Sequence, residues 1–170
     1  MRTILPVQAG KGDWVEFGVG AGRSLKILRS LLPLRAHLWG FDSWKGLREP
    51  WLHHPSGHHK YPMPTLFRGD SRITLVSGYF EDTLPQWVED RDQLSVIHFD
   101  CDLYSSTKTI LESVNHLIRA GTILLFDEIY NFPGWETYEW KAFSEWRNSR
   151  GARTECLMRT SVNQAAFVVL

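Results

Sequence analysis

Five short apolar runs, separated by stretches with helical periodicity, govern what this chain can become. They are Asp13–Phe17, Leu38–Phe41, Ile73–Ser77, Ser95–Phe99 and Thr122–Phe126. Continuously apolar strands rich in Val and Ile, alternating with helices, form a parallel sheet covered on both faces. Three helices stand out between the runs. Ser24 reads as the N-cap of one that carries Leu25, Leu28, Leu31 and Leu32 and stops at Pro33. A second starts at Ser105 or Ser106, places Ile110, Val114, Leu117 and Ile118 on one stripe, and ends before Gly121. The third follows Pro133-Gly134 and carries Trp135, Tyr138, Phe143 and Trp146, with Glu136, Glu139 and Lys141 turned to water. After Gly151 the alternation stops. Arg153–Arg159 and Ala165–Leu170, joined by five residues, read as a hairpin.

No linker or repeat divides the 170 residues, so the expectation is one domain over residues 1–170. Lys+Arg and Asp+Glu both number 19. A zero net charge argues against nucleic acid as a partner, which calls for a basic excess. No apolar run approaches the roughly 20 residues of a membrane span, and residues 1–11 lack the apolar stretch of a cleaved leader. Cys101 and Cys156 both fall in apolar, strand-like segments. They read as buried thiols of a reducing, cytoplasmic protein rather than as a disulfide.

The first run ends in Glu16-Phe-Gly18-Val-Gly20-Ala-Gly22-Arg-Ser24. Alternating glycines let the backbone approach a ligand, and unpaired N–H groups at a helix start attract negative charge. A dinucleotide fingerprint would need its third glycine at position 23, which is Arg. Asp42, about 20 residues on, suits a ribose diol. The third run leads into Gly78-Tyr-Phe80-Glu81-Asp82, where an adenine could lie or where Glu81 and Asp82 could simply favour a helix start near Thr83. The fourth and fifth runs end in Asp100 and in Asp127-Glu128. Parallel neighbours bring such tips about 5 Å apart. Carboxylates gathered there, with no Lys or Arg nearby in sequence, call for a hard divalent cation, or else they cap the following helices. The Lys45–Asp70 stretch holds Pro50, Pro55, Pro62 and Pro64 without any period. It is expected to be a mobile lid whose Trp51 and Tyr61 wall the site. His53-His54 and His58-His59 within it could bind zinc, but no cysteine accompanies them, and a solvated loop is the reading taken. His98 is expected to be a hydrogen-bonded core residue.

Taken together, Glu16-x-Gly-x-Gly-x-Gly, Gly40-Phe41-Asp42-Ser43-Trp44-Lys45-Gly46-Leu47, Gly78–Pro85, Asp100-Cys-Asp-Leu-Tyr-Ser-Ser-Thr107 and Asp127-Glu-Ile-Tyr130 resemble the macrocin O-methyltransferase (TylF-type) family. That family belongs to the class I S-adenosylmethionine (AdoMet) methyltransferases. The resemblance runs from about Trp14 to Phe143. It implies a three-layer α/β Rossmann-like fold, with a seven-stranded, mostly parallel sheet in the order 3-2-1-4-5-7-6 and a C-terminal β-hairpin. It implies an AdoMet-dependent, Mg²⁺-assisted O-methyltransferase acting on a hydroxyl of a sugar or natural product. Residue by residue, it implies cofactor contacts at Glu16, Phe17, Gly18, Gly20, Gly22, Ser24, Asp42, Ser43, Trp44, Gly78, Phe80, Glu81 and Asp100. It places metal ligands at Asp100, Asp127 and Glu128, with Asp100 also the catalytic proton acceptor. Cys101, Leu103 and Glu128 depart from the usual Gly, the lysine base of catechol-type relatives and the usual Asp. The strand at residue 13 begins without the helices that commonly build a substrate pocket. A non-catalytic AdoMet-binding or partner module, a hydroxylase-like oxidoreductase on the same fold, and a homodimer stay open.

Overall fold

A computed structural model describes residues 12–170, so the stretch read for a leader lies outside the described residues. Seven strands form one sheet in the order β3-β2-β1-β4-β5-β7-β6, the order expected. β1 (Asp13–Phe17), β2 (Leu38–Asp42), β3 (Ile73–Ser77), β4 (Leu94–Phe99) and β5 (Ile123–Phe126) are mutually parallel. β6 (Thr154–Arg159) and β7 (Ala165–Val169) are the hairpin, and β7 pairs antiparallel to β5. Four of the parallel strands carry a phenylalanine at or next to the carboxyl end. Phe41, Phe17, Phe99 and Phe126 stand in register across β2-β1-β4-β5, with Phe99 and Phe126 stacked at 4.5 Å. This aromatic row is the floor on which the strand tips rest.

Helices α2 (Phe80–Trp87), α3 (Tyr104–Ser113) and α4 (Glu139–Arg150) pack on the face that carries the row, through Leu84, Ile110, Leu111, Phe143 and Trp146. Helix α1 (Arg23–Leu31) covers the other face with Leu25 and Leu28, joined by Trp44 and Phe67. The expected stripe of Ile110, Val114, Leu117 and Ile118 is fully buried, and it continues past α3 through a 3-10 turn. None of the described helices is long and apolar enough to cross a membrane.

Three local expectations need correcting. The N-cap of α1 is Gly22 at φ 81, not Ser24, because the last glycine of the loop makes the turn itself. Glu139 is 1% exposed rather than solvent-facing. A separate 3-10 turn at Trp135–Thr137 breaks the backbone at Tyr138, so the phase read from Trp135 does not carry into α4. Both cysteines are free, but Cys156 is exposed because β6 is the edge strand; only Cys101 is buried.

Candidate active site

Backbone hydrogen bonds beyond the strand ends hold the tips level. Gly18 N–H donates to Phe41 O and Asp100 N–H to Phe17 O, each at 2.9 Å. Gly78 N–H reaches Asp42 O at 3.0 Å, and Asp127 N–H reaches Phe99 O at 2.9 Å. Gly18, Asp42, Gly78, Asp100 and Asp127 therefore share the carboxyl edge of the sheet, where open α/β folds bind ligands. A cavity of about 640 Å³ opens there, a volume suited to a small molecule.

Of the residues singled out in the sequence, Gly18, Gly20, Ser24, Asp42, Ser43, Gly78, Phe80, Glu81, Asp100, Asp127 and Glu128 line this one cavity. Glu16, Phe17, Gly22 and Trp44 lie behind its wall. Glu16 is fully buried and accepts a hydrogen bond from His98 Nδ1 at 2.9 Å, which makes His98 the bonded core residue expected. Phe17 belongs to the aromatic row. Trp44 Nε1 donates to Gly20 O at 3.0 Å, and a Cβ on Gly22 would come within 2.8 Å of the Phe67 ring. Gly18, Gly20 and Gly22 all have positive φ, so the loop takes a path that side chains would oppose. Both oxygens of Asp42 face it: Oδ2 accepts from Gly20 N–H and Oδ1 from Trp44 N–H, each at 2.7 Å.

The Lys45–Asp70 segment crosses the mouth of the cavity and is better organised than its sequence suggested. Arg48 forms an ion pair with Glu81 and lies 4.5 Å above the Tyr79 ring. Ser105 Oγ donates to Glu49 at 2.6 Å, anchoring the segment to α3. Trp51 is buried and meets Phe132 and Tyr138 edge-on at 6.2 and 6.4 Å. Tyr61 stands over Gly20, 3.5 Å from where a Cβ would lie. Trp51, His59 and Tyr61 all line the cavity.

The far wall is acidic. Burial pushes Asp100 up to about 7, with Asp127, Glu16 and Asp102 adding to the effect and His98 opposing it. Burial also raises Asp102, against the pull of His59. Glu128 is pushed up to about 8 by burial and by the neighbouring Asp102 carboxylate. Glu128 Oε2 is buried and receives no hydrogen bond. The amides of the β6–β7 turn grip the pair that follows β5: Gln164 Nε2 donates to Asp127 Oδ1 at 2.8 Å and Asn163 Nδ2 to Glu128 Oε1 at 3.4 Å. Among the described residues, no Lys or Arg forms an ion pair with these carboxylates. Burial works against a charged His98, but the Glu16 hydrogen bond and charge, then Asp100 and Asp127, outweigh it and raise its pKa. Below the wall Glu139, raised well above the ordinary carboxylate range by burial, accepts a long hydrogen bond from Cys101 Sγ at 3.9 Å.

Asp100, Asp127 and Glu128 line the same wall without converging on a single point. Among the described residues, two groups of three have their ligand atoms within 4.8 Å of one another: Glu16, His98 and Asp100, and His54, His58 and His59. Sequence reasoning passed over Asp102, whose positive φ of 63 brings it into the cavity wall beside Asp100. It also passed over Arg48, for which residue type and spacing carried no signal, and it read His59 as part of a solvated loop, whereas His59 lines the cavity.

Known proteins place this arrangement. The chain is 31% identical over 141 residues to the 8-demethyl-8-(2,3-dimethoxy-alpha-L-rhamnosyl)-tetracenomycin-C 4'-O-methyltransferase of Streptomyces olivaceus, covering 69% of this chain and 52% of that protein. It is 27% identical over 146 residues to the demethyldecarbamoylnovobiocin O-methyltransferase of Streptomyces niveus, covering 72% and 54%. The chain thus spans about half the length of these curated relatives. In fold it is similar to CalS11, the calicheamicin methyltransferase, with a TM-score of 0.76 at 24% identity over 96% of this chain and 74% of that one. A family model described as a methyltransferase domain matches residues 15–129, from β1 through the carboxylate pair after β5, and the chain belongs to that family of methyltransferase domains.

Proposed function

We propose that the chain is an AdoMet-dependent O-methyltransferase of the macrocin type, transferring a methyl group to a hydroxyl of a small sugar-bearing or natural-product acceptor. One observation carries this reading: the glycine loop with its Asp42 and the carboxylate wall line a single cavity. The relatives, named for O-methylation of a rhamnosylated tetracenomycin and of demethyldecarbamoylnovobiocin, support it. Gly18–Gly22 would hold AdoMet, with Asp42 at its ribose and Phe80 and Glu81 beside its adenine. The acceptor sits between cofactor and carboxylates, beneath Trp51 and Tyr61. Bound there, AdoMet would supply its methyl group to the acceptor's hydroxyl oxygen, with the carbon–sulfur bond electrons leaving on a neutral thioether. Alignment of the two reactants is the protein's main contribution. The hydroxyl proton goes to a carboxylate. Asp100, pushed to about 7, is matched to that task at neutral pH, and Asp102 stands beside it in the wall.

The donor set fits a hard divalent cation. Four of the carboxylates lining the cavity, Asp100, Asp102, Asp127 and Glu128, form its acidic wall, no Lys or Arg pairs with these four among the described residues, and Glu128 Oε2 is buried without a donor. Asp100, Asp127 and Glu128 would hold Mg²⁺ or a similar ion. Such an ion supplies positive charge that lowers the pKa of the acceptor hydroxyl.

Calorimetry with AdoMet, followed by methyl transfer to a panel of glycosylated acceptors, tests the reading. Binding and Mg²⁺-dependent turnover are expected, with turnover lost in EDTA. Asp127→Asn is expected to lose turnover while keeping AdoMet affinity. Failure to bind AdoMet would overturn the assignment, and full turnover in EDTA would remove the cation from it. Asp42→Ala is expected to weaken AdoMet binding by on the order of 1–3 kcal/mol, through lost hydrogen bonds to ribose and to the loop. Unchanged affinity would place the ribose elsewhere.

A further inference from the structure

The segment across the cavity mouth carries four histidines, and its fold gathers them. Trp51 and His54 exchange backbone hydrogen bonds at 3.0 and 2.8 Å, closing a tight turn. Leu47 N–H donates to His58 O and Gly57 N–H to Leu47 O, both at 2.8 Å, which bring the returning strand of the loop back beside the outgoing one. His54 lies flat against Trp51, and His58 lies 4.1 Å from His54 ring to ring. His59, in a left-handed conformation at φ 59, meets His58 edge-on at 4.3 Å. The ligand nitrogens of His54, His58 and His59 all lie within 4.8 Å of one another.

Three imidazoles this close repel one another once protonated. Burial first, then His58, His53 and His59, lowers the pKa of His54. Neutral imidazole is the form that binds a metal. Its nitrogen is a ligand for Zn²⁺, Co²⁺ or Ni²⁺, whereas the carboxylate wall offers the oxygens preferred by Mg²⁺. Zinc–nitrogen bonds of about 2.0–2.1 Å set ligand nitrogens roughly 3.3 Å apart, so binding draws the three nitrogens together and turns the stacked rings of His54 and His58 apart. The absence of a cysteine, which weighed against zinc in the sequence, is no obstacle, since three histidines suffice for zinc when a fourth position is left open.

We propose that His54, His58 and His59 form a transition-metal site, of the zinc class, in the segment that covers the cavity. The ion ties the two arms of that segment together. Because His59 also lines the cavity, the site lies at its rim and holds the cover in place. This site is chemically distinct from the carboxylate wall and does not depend on methyl transfer.

The test uses the full chain without a histidine tag, stripped with EDTA and then freed of chelator. Zn²⁺ is titrated in excess Mg²⁺, and Co²⁺ is used as a spectroscopic probe. The expected result is about one Zn²⁺ per chain with Kd of about 10 µM or tighter, and visible Co²⁺ bands of a nitrogen-rich, four-coordinate site. His58→Ala and His54→Ala are each expected to weaken Zn²⁺ by roughly tenfold or more, and Asp127→Asn to leave it unchanged. His58 is exposed, so its variant stays interpretable even if His54→Ala misfolds. Zn²⁺ binding weaker than roughly 100 µM, full affinity in His58→Ala, or loss of the ion in Asp127→Asn would each overturn the proposal.

Discussion

Gly18→Ala is expected to be among the most destabilising single substitutions in the chain, by about 4 kcal/mol or more. Two effects add. Gly18 has φ +92, where any L side chain is strained. A Cβ there would also fall on the carbonyl oxygen of Asp100, a backbone atom that cannot swing aside. Asp100 N–H is bonded to Phe17 O, so the clash pries β1 and β4 apart at the centre of the sheet. Gly57→Ala is the matched control. It has φ +83 and nothing within 4 Å of its added Cβ, so only the conformational cost of about 1–2 kcal/mol remains. Urea unfolding of the two variants separates the terms. Equal losses would show that β4 yields to the methyl group.

Without divalent metal, the chain is expected to lose stability as pH rises from about 5 to 8. Asp100 titrates in the fold at about 7 and Glu128 at about 8, both raised mainly by burial. In the unfolded chain both ionise near their ordinary values around 4. Across this interval the folded state therefore holds more protons, and linkage makes stability fall as pH increases. The contribution starts to be lost above the unfolded pKa and is gone once pH passes the folded one. His98, also raised, acts in the same direction, since its charged form is favoured by the fold and lost as pH rises. At full effect Asp100 alone accounts for on the order of 4 kcal/mol. Mg²⁺ is expected to restore stability at pH 8, because it favours the ionised carboxylates. Chemical denaturation at pH 5 and 8, with and without Mg²⁺, measures both effects. Asp100→Asn should flatten the metal-free profile; an unchanged slope would locate the titration elsewhere.

The sheet was legible because its strands are short, almost wholly apolar and closed by glycine or acid, a pattern with few alternative folds. The glycine loop, Asp42 and the three strand-tip carboxylates were legible for the same reason, since a strand end fixes where its next residue points. What escaped the sequence depends on contacts distant along the chain. Glu139 looked solvent-facing because a helix was phased from Trp135, and only the break at Tyr138 turns it inward. Asp102 was passed over because it lies past the strand end, where a left-handed turn at 102, and not the strand's own alternation, sets its place in the wall. The proline-rich segment has no internal period because its shape is set from outside, by Glu81, Ser105, Phe132 and Tyr138. Its histidines read as scattered pairs until those anchors folded it back on itself.

Asp42 carries one more consequence. Its two oxygens already hold Gly20 and Trp44 at 2.7 Å, yet each oxygen keeps a second lone pair for a ligand. The carboxylate cannot rotate without releasing the glycine loop, so its aim at the cavity, and at the ribose diol in the proposed reading, is set when the chain folds. Binding then freezes little that was still moving, and affinity gained in this way appears as an entropic advantage. Asp42→Glu keeps the charge and the acceptor atoms but adds a rotatable bond. It would separate the part of recognition that lies in hydrogen bonding from the part that lies in rigidity.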